Sequence, residues 1–147
     1  MIDLFDPCSK AIQKVKKALA KNWQVLRIEQ AKMETYQWKD EYSAIVFRWC
    51  FGYPADEDLV AFLRSAKEHL MMYGQRATRQ TIPRSFILVL DNLLEDGQLP
   101  FEDEGQTIRD QQTIERLFEQ AGLRIHMQSE PIKLRSDFKP VMLWALY

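Results

Sequence analysis

Hydrophobic and polar positions follow two different periods along the chain. Short apolar or alternating runs are typical of strands, and longer segments with an apolar residue about every three to four positions are typical of helices. The predicted strands are, in chain order, Ile2–Phe5, Trp23–Ile28, Tyr42–Phe51, Phe86–Leu90, Leu123–Met127 and Val141–Tyr147. Because helical segments separate most of these strands, the pattern predicts an α/β fold with a largely parallel sheet.

Three segments have helical spacing and begin at a residue that can accept hydrogen bonds from first-turn amides. The predicted helices are Lys10–Ala20 after an N-cap at Ser9, Asp56–Gly74 with Asp56 as its N-cap, and Thr107–Ala121 with Thr107 as its N-cap. Gly122 follows the third helix, where glycine tolerates the left-handed conformation that commonly ends a helix.

Polar segments with glycine or proline are predicted loops. They are Gln75–Arg84, the acidic segment Asp91–Gln106 and the connector Ser129–Pro140. No helix lies between the last two strands, so we expect them to form an antiparallel hairpin at one edge of the sheet. No repeat or linker interrupts the pattern, and residues 1–147 are predicted to form a single domain.

The charge balance disfavours a nucleic-acid-binding function. The chain has 20 basic and 21 acidic residues and a net charge of −1, whereas nucleic-acid-binding domains usually have a basic excess or stripe. Arg76, Arg79 and Arg84 are the candidates for such a contact. No apolar run is long enough to span a membrane. Asp3 and Asp6 interrupt the apolar stretch near the start, so a secretory signal is not predicted.

The cysteines and histidines do not form a pattern that binds metal. Cys8 and Cys50 are isolated, and no CxxC or Cys/His cluster occurs. His69 and His126 each lie alone within a periodic segment. We therefore expect neither a disulfide nor a metal site, and reduced thiols indicate an intracellular reducing compartment, either the cytoplasm or an organelle interior.

From Tyr42 onward, several short motifs follow a familiar order. They are Trp49-Cys50-Phe51-Gly52-Tyr53, Asp56, Phe62-Leu63-Arg64, Asp91-Asn92, Arg109, Ala121-Gly122-Leu123 and Trp144-Ala145-Leu146. In this respect the chain resembles the N-terminal Xaa-Pro-Lys protein methyltransferases, which methylate the α-amino group of exposed protein N-termini. The likeness covers nearly all of the chain and is weaker before Tyr42.

The resemblance implies a groove for the incoming N-terminus. Trp49 and Asn92 match its tryptophan and asparagine, and Asn92 is the residue to which the resemblance assigns a catalytic role. Glu104 matches one of the two groove acids, while Tyr53 replaces the family's histidine.

Other groove positions differ from the family pattern. Phe101 replaces the second acid, Gln106 replaces a serine and Lys139 replaces a tyrosine. A cationic amine favours nearby carboxylates, so the loss of an acid and the gain of a lysine disfavour that substrate.

For the cofactor, S-adenosylmethionine, the resemblance implies a glycine-rich turn after the first strand and an acid at the end of the second. Asp6 matches the acid, which would bind the ribose, although an acid in a strand-ending turn before Pro7 can equally be structural. The five glycines are isolated, and no GxGxG motif occurs. We therefore expect an incomplete Rossmann-like class I methyltransferase sheet that lacks the first strand and helix, and no bound cofactor.

Two functions follow from these expectations. The first is a degenerate, catalytically inactive methyltransferase-like protein that serves as a structural or interaction subunit of a larger complex. Its partners are expected to be other protein subunits that complete the sheet next to residues 2–6. The alternative is an active S-adenosylmethionine-dependent protein N-terminal methyltransferase whose cofactor-binding part is missing from this sequence or supplied by a partner.

Overall fold

The chain divides into two compact units, Met1–Gln37 and Trp38–Tyr147. The computed structural model describes residues 2–19, 24–71, 85–94, 102–103, 105–133 and 139–147. In that part of the chain, no helix has both the length and the apolar character needed to cross a membrane.

The first unit is a strand-helix-strand segment. It contains β1 (Ile2–Asp6), α1 (Ser9–Leu19), β2 (Val25–Gln30) and a short 3-10 turn at Met33–Thr35. β1 and β2 pair in parallel. An ion pair between Asp3 and Arg27 joins neighbouring positions of the two strands. The ring of Phe5 stacks on Tyr36 with their centroids 4.1 Å apart.

The second unit contains the main sheet. Its elements are β3 (Ala44–Arg48), α2 (Asp56–Glu68), β4 (Phe86–Asn92), β5 (Glu102–Asp103), β6 (Gln106–Thr107), α3 (Gln111–Gln120), β7 (Ile125–Gln128) and β8 (Val141–Leu146). The strand order is β3-β4-β8-β7. β3 and β4 are parallel, whereas β8 is antiparallel to both β4 and β7.

Most of the core of the second unit lies on one face of this sheet, although Val141 and Ala145 are buried on the other face. Alternate strand residues are buried on the first of these faces, among them Ile45, Phe47, Ile87, Val89 and Trp144. α2 and α3 bury Leu63, Ala66, Ile114, Leu117 and Phe118. The ring of Phe118 lies 5.7 Å from Trp144 and that of Phe62 lies 5.5 Å from Phe47, measured between centroids. The helical spacing of the apolar residues therefore places both helices against the period-two face of the strands.

The predicted α/β class and the antiparallel C-terminal hairpin are confirmed. β7 lies at the edge of its sheet, next to β8. The prediction of Tyr42–Phe51 as a buried strand is only partly right, because β3 is Ala44–Arg48 and Val46 is 63% exposed. Trp23 and the predicted loop Gln75–Arg84 lie outside the described residues. A single domain over residues 1–147 stays a prediction.

The predicted starts of the first two helices are wrong. Ser9 is the first residue of α1, and the carbonyl of Cys8 accepts the hydrogen bond from Ile12 N. Ala55 is the N-cap of α2, while Asp56 is its first helical residue.

The end of the second helix also differs from the prediction. α2 ends at Glu68 rather than Gly74, and Leu70 then forms a parallel bridge with Tyr42. Because Leu70 takes part in this bridge, the chain does not continue as a helix beyond it. Gly74 itself lies outside the described residues.

Described parts of the segment predicted as an acidic loop, Asp91–Gln106, form strands instead. Asp91 and Asn92 extend β4, and β5 and β6 form a small antiparallel hairpin. Thr107 belongs to β6, where it pairs with Glu102 of β5, and its N–H also donates to the carbonyl of Gly52 at 2.7 Å. The N-cap of α3 is therefore Asp110, whose carboxylate accepts from Thr113 N at 2.6 Å. Gly122 has a φ of 75° after α3, as predicted.

Candidate functional site

The candidate site lies where β3 and β4 end. In an open sheet, the carboxyl ends of adjacent parallel strands meet at one edge, where ligands commonly bind. Trp49–Ala55, here called the post-β3 turn, connects β3 to α2. Asp91 and Asn92 are the last residues of β4.

Trp49 begins the post-β3 turn in an unfavourable backbone conformation. Its φ is 52°, a left-handed value that costs a residue with a Cβ about 1–2 kcal/mol. Its N–H still donates to the carbonyl of Leu90 at 2.9 Å. The indole is 42% exposed, and the guanidinium of Arg48 lies 4.4 Å from its ring centroid. Such strain persists only where the surrounding structure holds the residue in place.

The carboxylate of Asp91 accepts hydrogen bonds from backbone N–H groups of the post-β3 turn. One carboxylate oxygen accepts from Cys50 N at 3.0 Å and from Phe51 N at 2.9 Å, and the other accepts from Asn92 N at 2.8 Å. The residue is only 6% exposed. Burial raises the pKa of Asp91 above its ordinary value, although the three amides and the charge of Arg109 act in the opposite direction.

The guanidinium of Arg109 donates hydrogen bonds to backbone carbonyls of the same turn. Its guanidinium donates to the carbonyls of Phe51 and Pro54, the latter at 2.9 Å, and more weakly to that of Thr107 at 3.4 Å. It also donates to the Asp56 carboxylate at 2.7–2.8 Å. Arg109 is 6% exposed, so the post-β3 turn is fixed by one buried anion and one buried cation.

Tyr53 connects the post-β3 turn to the β5–β6 hairpin. Its hydroxyl accepts a hydrogen bond from the Gln106 side-chain amide at 2.8 Å, and its ring is 56% exposed. Gly52 allows the close approach, because a Cβ there would lie 3.3 Å from the Cβ of Gln106. The hairpin therefore lies directly against the turn that presents Trp49 and Tyr53.

The structure brings three of the predicted groove residues to this edge. Trp49 and Tyr53 lie on the post-β3 turn, and Asn92 ends β4. Asn92 is partly buried, and its side-chain amide forms no hydrogen bond within the described residues. Glu104 lies outside the described residues, as does Phe101. The groove assignment of these residues stays a prediction.

Asp6 belongs to the first unit, at the end of β1. One oxygen of its carboxylate accepts from Cys8 N at 2.7 Å, in the turn that leads into α1. Cys8 and Cys50, both of them described residues, form no disulfide bond. Among the described residues, no group of three or more metal-binding side chains is found.

Asp91 and Arg109 had no predicted role, although both occupy positions that match the family pattern. Their contacts nevertheless organise the whole site. A carboxylate that directly follows the most apolar strand, Ile87–Leu90, is an available signal that Asp91 is buried. No comparable local signal identifies Arg109, because its partners at Phe51 and Pro54 are distant in sequence.

The fold is shared with solved S-adenosylmethionine-dependent methyltransferases. The enzyme from Leishmania major superposes with a TM-score of 0.81 at 24% identity, covering 99% of this chain and 54% of that one. The glycopeptide N-methyltransferase MtfA, solved with S-adenosylmethionine, gives a TM-score of 0.70 at 11% identity and covers 99% and 71%. The architecture is therefore that of the class I methyltransferases.

Sequence similarity assigns the chain to one family among the proteins that share this fold. The sequence profile of the AdoMet-dependent proline di-methyltransferases matches residues 1–147, and the chain belongs to this family. An N-terminal Xaa-Pro-Lys N-methyltransferase 1-B from Xenopus laevis is 32% identical over 84 residues, which are 57% of this chain and 33% of that protein. An α-N-terminal protein methyltransferase 1 from Arabidopsis thaliana is 27% identical over 105 residues, 71% of this chain and 34% of that protein. The resemblance is confirmed, and the matched region spans about a third of these two relatives' length.

The strain at Trp49 predicts a difference between two substitutions. Trp49→Gly and Trp49→Ala both remove the indole, but only alanine keeps a Cβ at a φ of 52°. We expect the glycine variant to be about 1 kcal/mol more stable than the alanine variant. Urea unfolding of the two variants measures the difference. Equal stabilities would mean that the backbone of Trp49 is not held in this conformation in solution.

Proposed function

We propose that the 147-residue chain is a methyltransferase-family module without methyl-transfer activity of its own, which serves as a structural or interaction subunit of a larger complex. The proposal concerns the polypeptide of this sequence, acting without further segments. It depends on whether these residues can hold S-adenosylmethionine.

The separate locations of the five glycines are the main observation that supports the proposal. A cofactor cradle needs glycines grouped in one turn, where the backbone approaches the ligand too closely for a Cβ. Gly52 instead accommodates Gln106, while Gly105 and Gly122 take left-handed conformations in a hairpin and after a helix. The other two glycines, Gly74 and Gly97, are isolated in the sequence. These residues therefore do not fit the cofactor on their own.

The geometry of Asp6 supports the same proposal. A ribose-binding acid needs carboxylate oxygens directed at the ligand hydroxyls. One oxygen of Asp6 is instead engaged by the amide of Cys8. This contact is the expected one for an acid that stabilises a strand-to-helix turn.

Calorimetry tests the proposal directly. Titration of the folded 147-residue chain with S-adenosylmethionine, and separately with its demethylated product, is expected to give no saturable heat at micromolar concentrations. Incubation with a peptide that begins Xaa-Pro-Lys should leave the peptide mass unchanged. Saturable micromolar binding of either nucleoside would overturn the proposal, provided that circular dichroism shows a folded chain.

A second candidate function is an active N-terminal methyltransferase in which further polypeptide supplies the cofactor cradle. The rigid post-β3 turn favours it, because the turn presents Trp49 and Tyr53 beside Asn92 and has no evident purpose in a purely structural subunit. In a protein that contains such a cradle, Asn92→Ala is expected to abolish transfer to the peptide. Unchanged turnover would exclude a mechanism that uses this edge, and Gln120→Ala on the exposed surface of α3 is the matched control.

A further inference from the structure

The hydroxyl of Tyr53 offers a hydrogen-bond donor to a ligand. Its oxygen already accepts from the side-chain amide of Gln106 at 2.8 Å. Its hydrogen has no acceptor among the residues that the structure describes. Consecutive hydrogen bonds polarise one another, so the bond from Gln106 makes the Tyr53 O–H a stronger donor. Because the Tyr53 ring is 56% exposed, an incoming molecule can reach this hydroxyl.

Backbone contacts hold both members of this pair in place. The carbonyl of Gly52 accepts from Thr107 N at 2.7 Å, which joins the residue before Tyr53 to the residue after Gln106. Gly52 also leaves the space that the Gln106 side chain fills, because a Cβ at Gly52 would lie 3.4 Å from Gln106 Oε1. The side-chain hydrogen bond therefore forms between two backbone segments that are already fixed, and it presents the Tyr53 hydroxyl in one orientation.

The neighbouring side chains do not favour a cationic ligand. The guanidinium of Arg48 lies 4.4 Å from the ring centroid of Trp49, so a positive charge already lies over the aromatic ring that could bind an amine. Both carboxylate oxygens of Asp91 accept from backbone amides. The described side chains of the post-β3 turn and of the end of β4 therefore include no carboxylate free to bind an amine.

We propose that Gln106 is a positioning residue that acts through Tyr53, so that this edge binds a polypeptide N-terminus with a carbonyl acceptor, such as an acylated one, in preference to a free α-ammonium group. An ammonium group has donors only and competes with Gln106 for the same phenol oxygen, whereas a carbonyl oxygen accepts from the free O–H. The inference rests on the interaction role proposed above and on the predicted groove that includes Tyr53. The predicted contact next to residues 2–6 is a separate proposal.

Two peptides that differ in one group test this preference. Both begin Ala-Pro-Lys and have a fluorescent label at the C-terminus, but one has a free α-amine and the other is N-acetylated. In fluorescence anisotropy with the folded 147-residue chain, we expect the acetylated peptide to bind at least about threefold more tightly, as one added hydrogen bond of ordinary strength requires. Tyr53→Phe keeps the ring and removes the hydroxyl, so it should make the two affinities equal.

Gln106→Glu reverses the direction of the hydrogen bond at nearly constant side-chain size. A carboxylate only accepts, so the Tyr53 hydroxyl must donate to it and can no longer donate to the peptide. The preference should therefore change in favour of the free amine. The new negative charge also attracts an amine, and the same substitution in the Tyr53→Phe background measures that effect alone. The change should be about threefold larger when the hydroxyl is present.

Three results would each overturn the proposal. They are the absence of saturable binding of both peptides up to millimolar concentrations, tighter binding of the free amine by the wild type, and a preference that Tyr53→Phe leaves unchanged. The second result would assign the preference to the acidic residues of the β5–β6 hairpin, Glu102 and Asp103. Because both peptides are measured on the same variant, a general loss of stability does not alter the ratio of affinities. Cofactor binding in the calorimetric test would overturn the proposed inactivity without changing this ratio.

Discussion

Asp91→Ala is expected to lower the free energy of unfolding by about 3 kcal/mol, because it leaves three amides without an acceptor in a site with little access to water. The amides of Cys50, Phe51 and Asn92 all donate to this carboxylate. Urea unfolding followed by circular dichroism measures the loss. Asp58→Ala is the control, because Asp58 is exposed in the first turn of α2, and we expect a change below about 1 kcal/mol.

The same residue predicts a pH dependence. Burial raises the pKa of Asp91, so the native state binds this proton more tightly than the unfolded chain does. A group of this kind contributes most to stability below its unfolded pKa of about 3.9. The contribution declines as the pH rises through the raised native pKa and is constant above it.

Asp91→Asn isolates this effect because asparagine does not titrate. We expect the unfolding free energy of the wild type minus that of the variant to fall as the pH rises from about 4 and then to level off. Unfolding curves collected at several pH values provide the comparison. A difference that grows with pH would show instead that the amides and Arg109 stabilise the carboxylate by more than burial penalises it.

Local sequence was sufficient to predict most of the elements. Alternation identified the strands, and Gly122 correctly ended the third helix, because both signals arise within a few residues. The helix starts were missed because distant partners decide them. Thr107 pairs with Gly52 and Asp56 binds Arg109, so Asp110 and Ala55 become the N-caps.

The site was only partly predictable for a related reason. The resemblance named Trp49, Tyr53 and Asn92, and the ends of β3 and β4 bring them to one edge. Nothing local favours a left-handed tryptophan, which depends on contacts formed after the chain has folded. The position of β3 at the end of its four-stranded sheet was also not predicted, because an alternating apolar run does not show which edge of a strand is paired.

Among the side chains that contact the post-β3 turn, Arg109 is expected to contribute most to the free energy of unfolding. Arg109→Ala removes donors from the carbonyls of Phe51 and Pro54 and from the Asp56 carboxylate. Buried carbonyls that lose a charged donor cost about 1–3 kcal/mol each, while the half-exposed Asp56 can regain water. We therefore expect a loss of about 3–4 kcal/mol in unfolding free energy.

Two further variants separate geometry from charge at this position. Arg109→Lys keeps the charge but cannot reproduce the planar fork that reaches several acceptors at once, so it should recover less than half of the loss. Arg116→Ala removes an exposed arginine of α3 and should change stability by less than about 0.5 kcal/mol. Full recovery by lysine would mean that charge alone, and not the set of hydrogen bonds, fixes the turn.

Asp91 and Arg109 contact the same segment, so their contributions to stability are expected to be coupled. The double alanine variant should therefore lose less unfolding free energy than the sum of the two single losses.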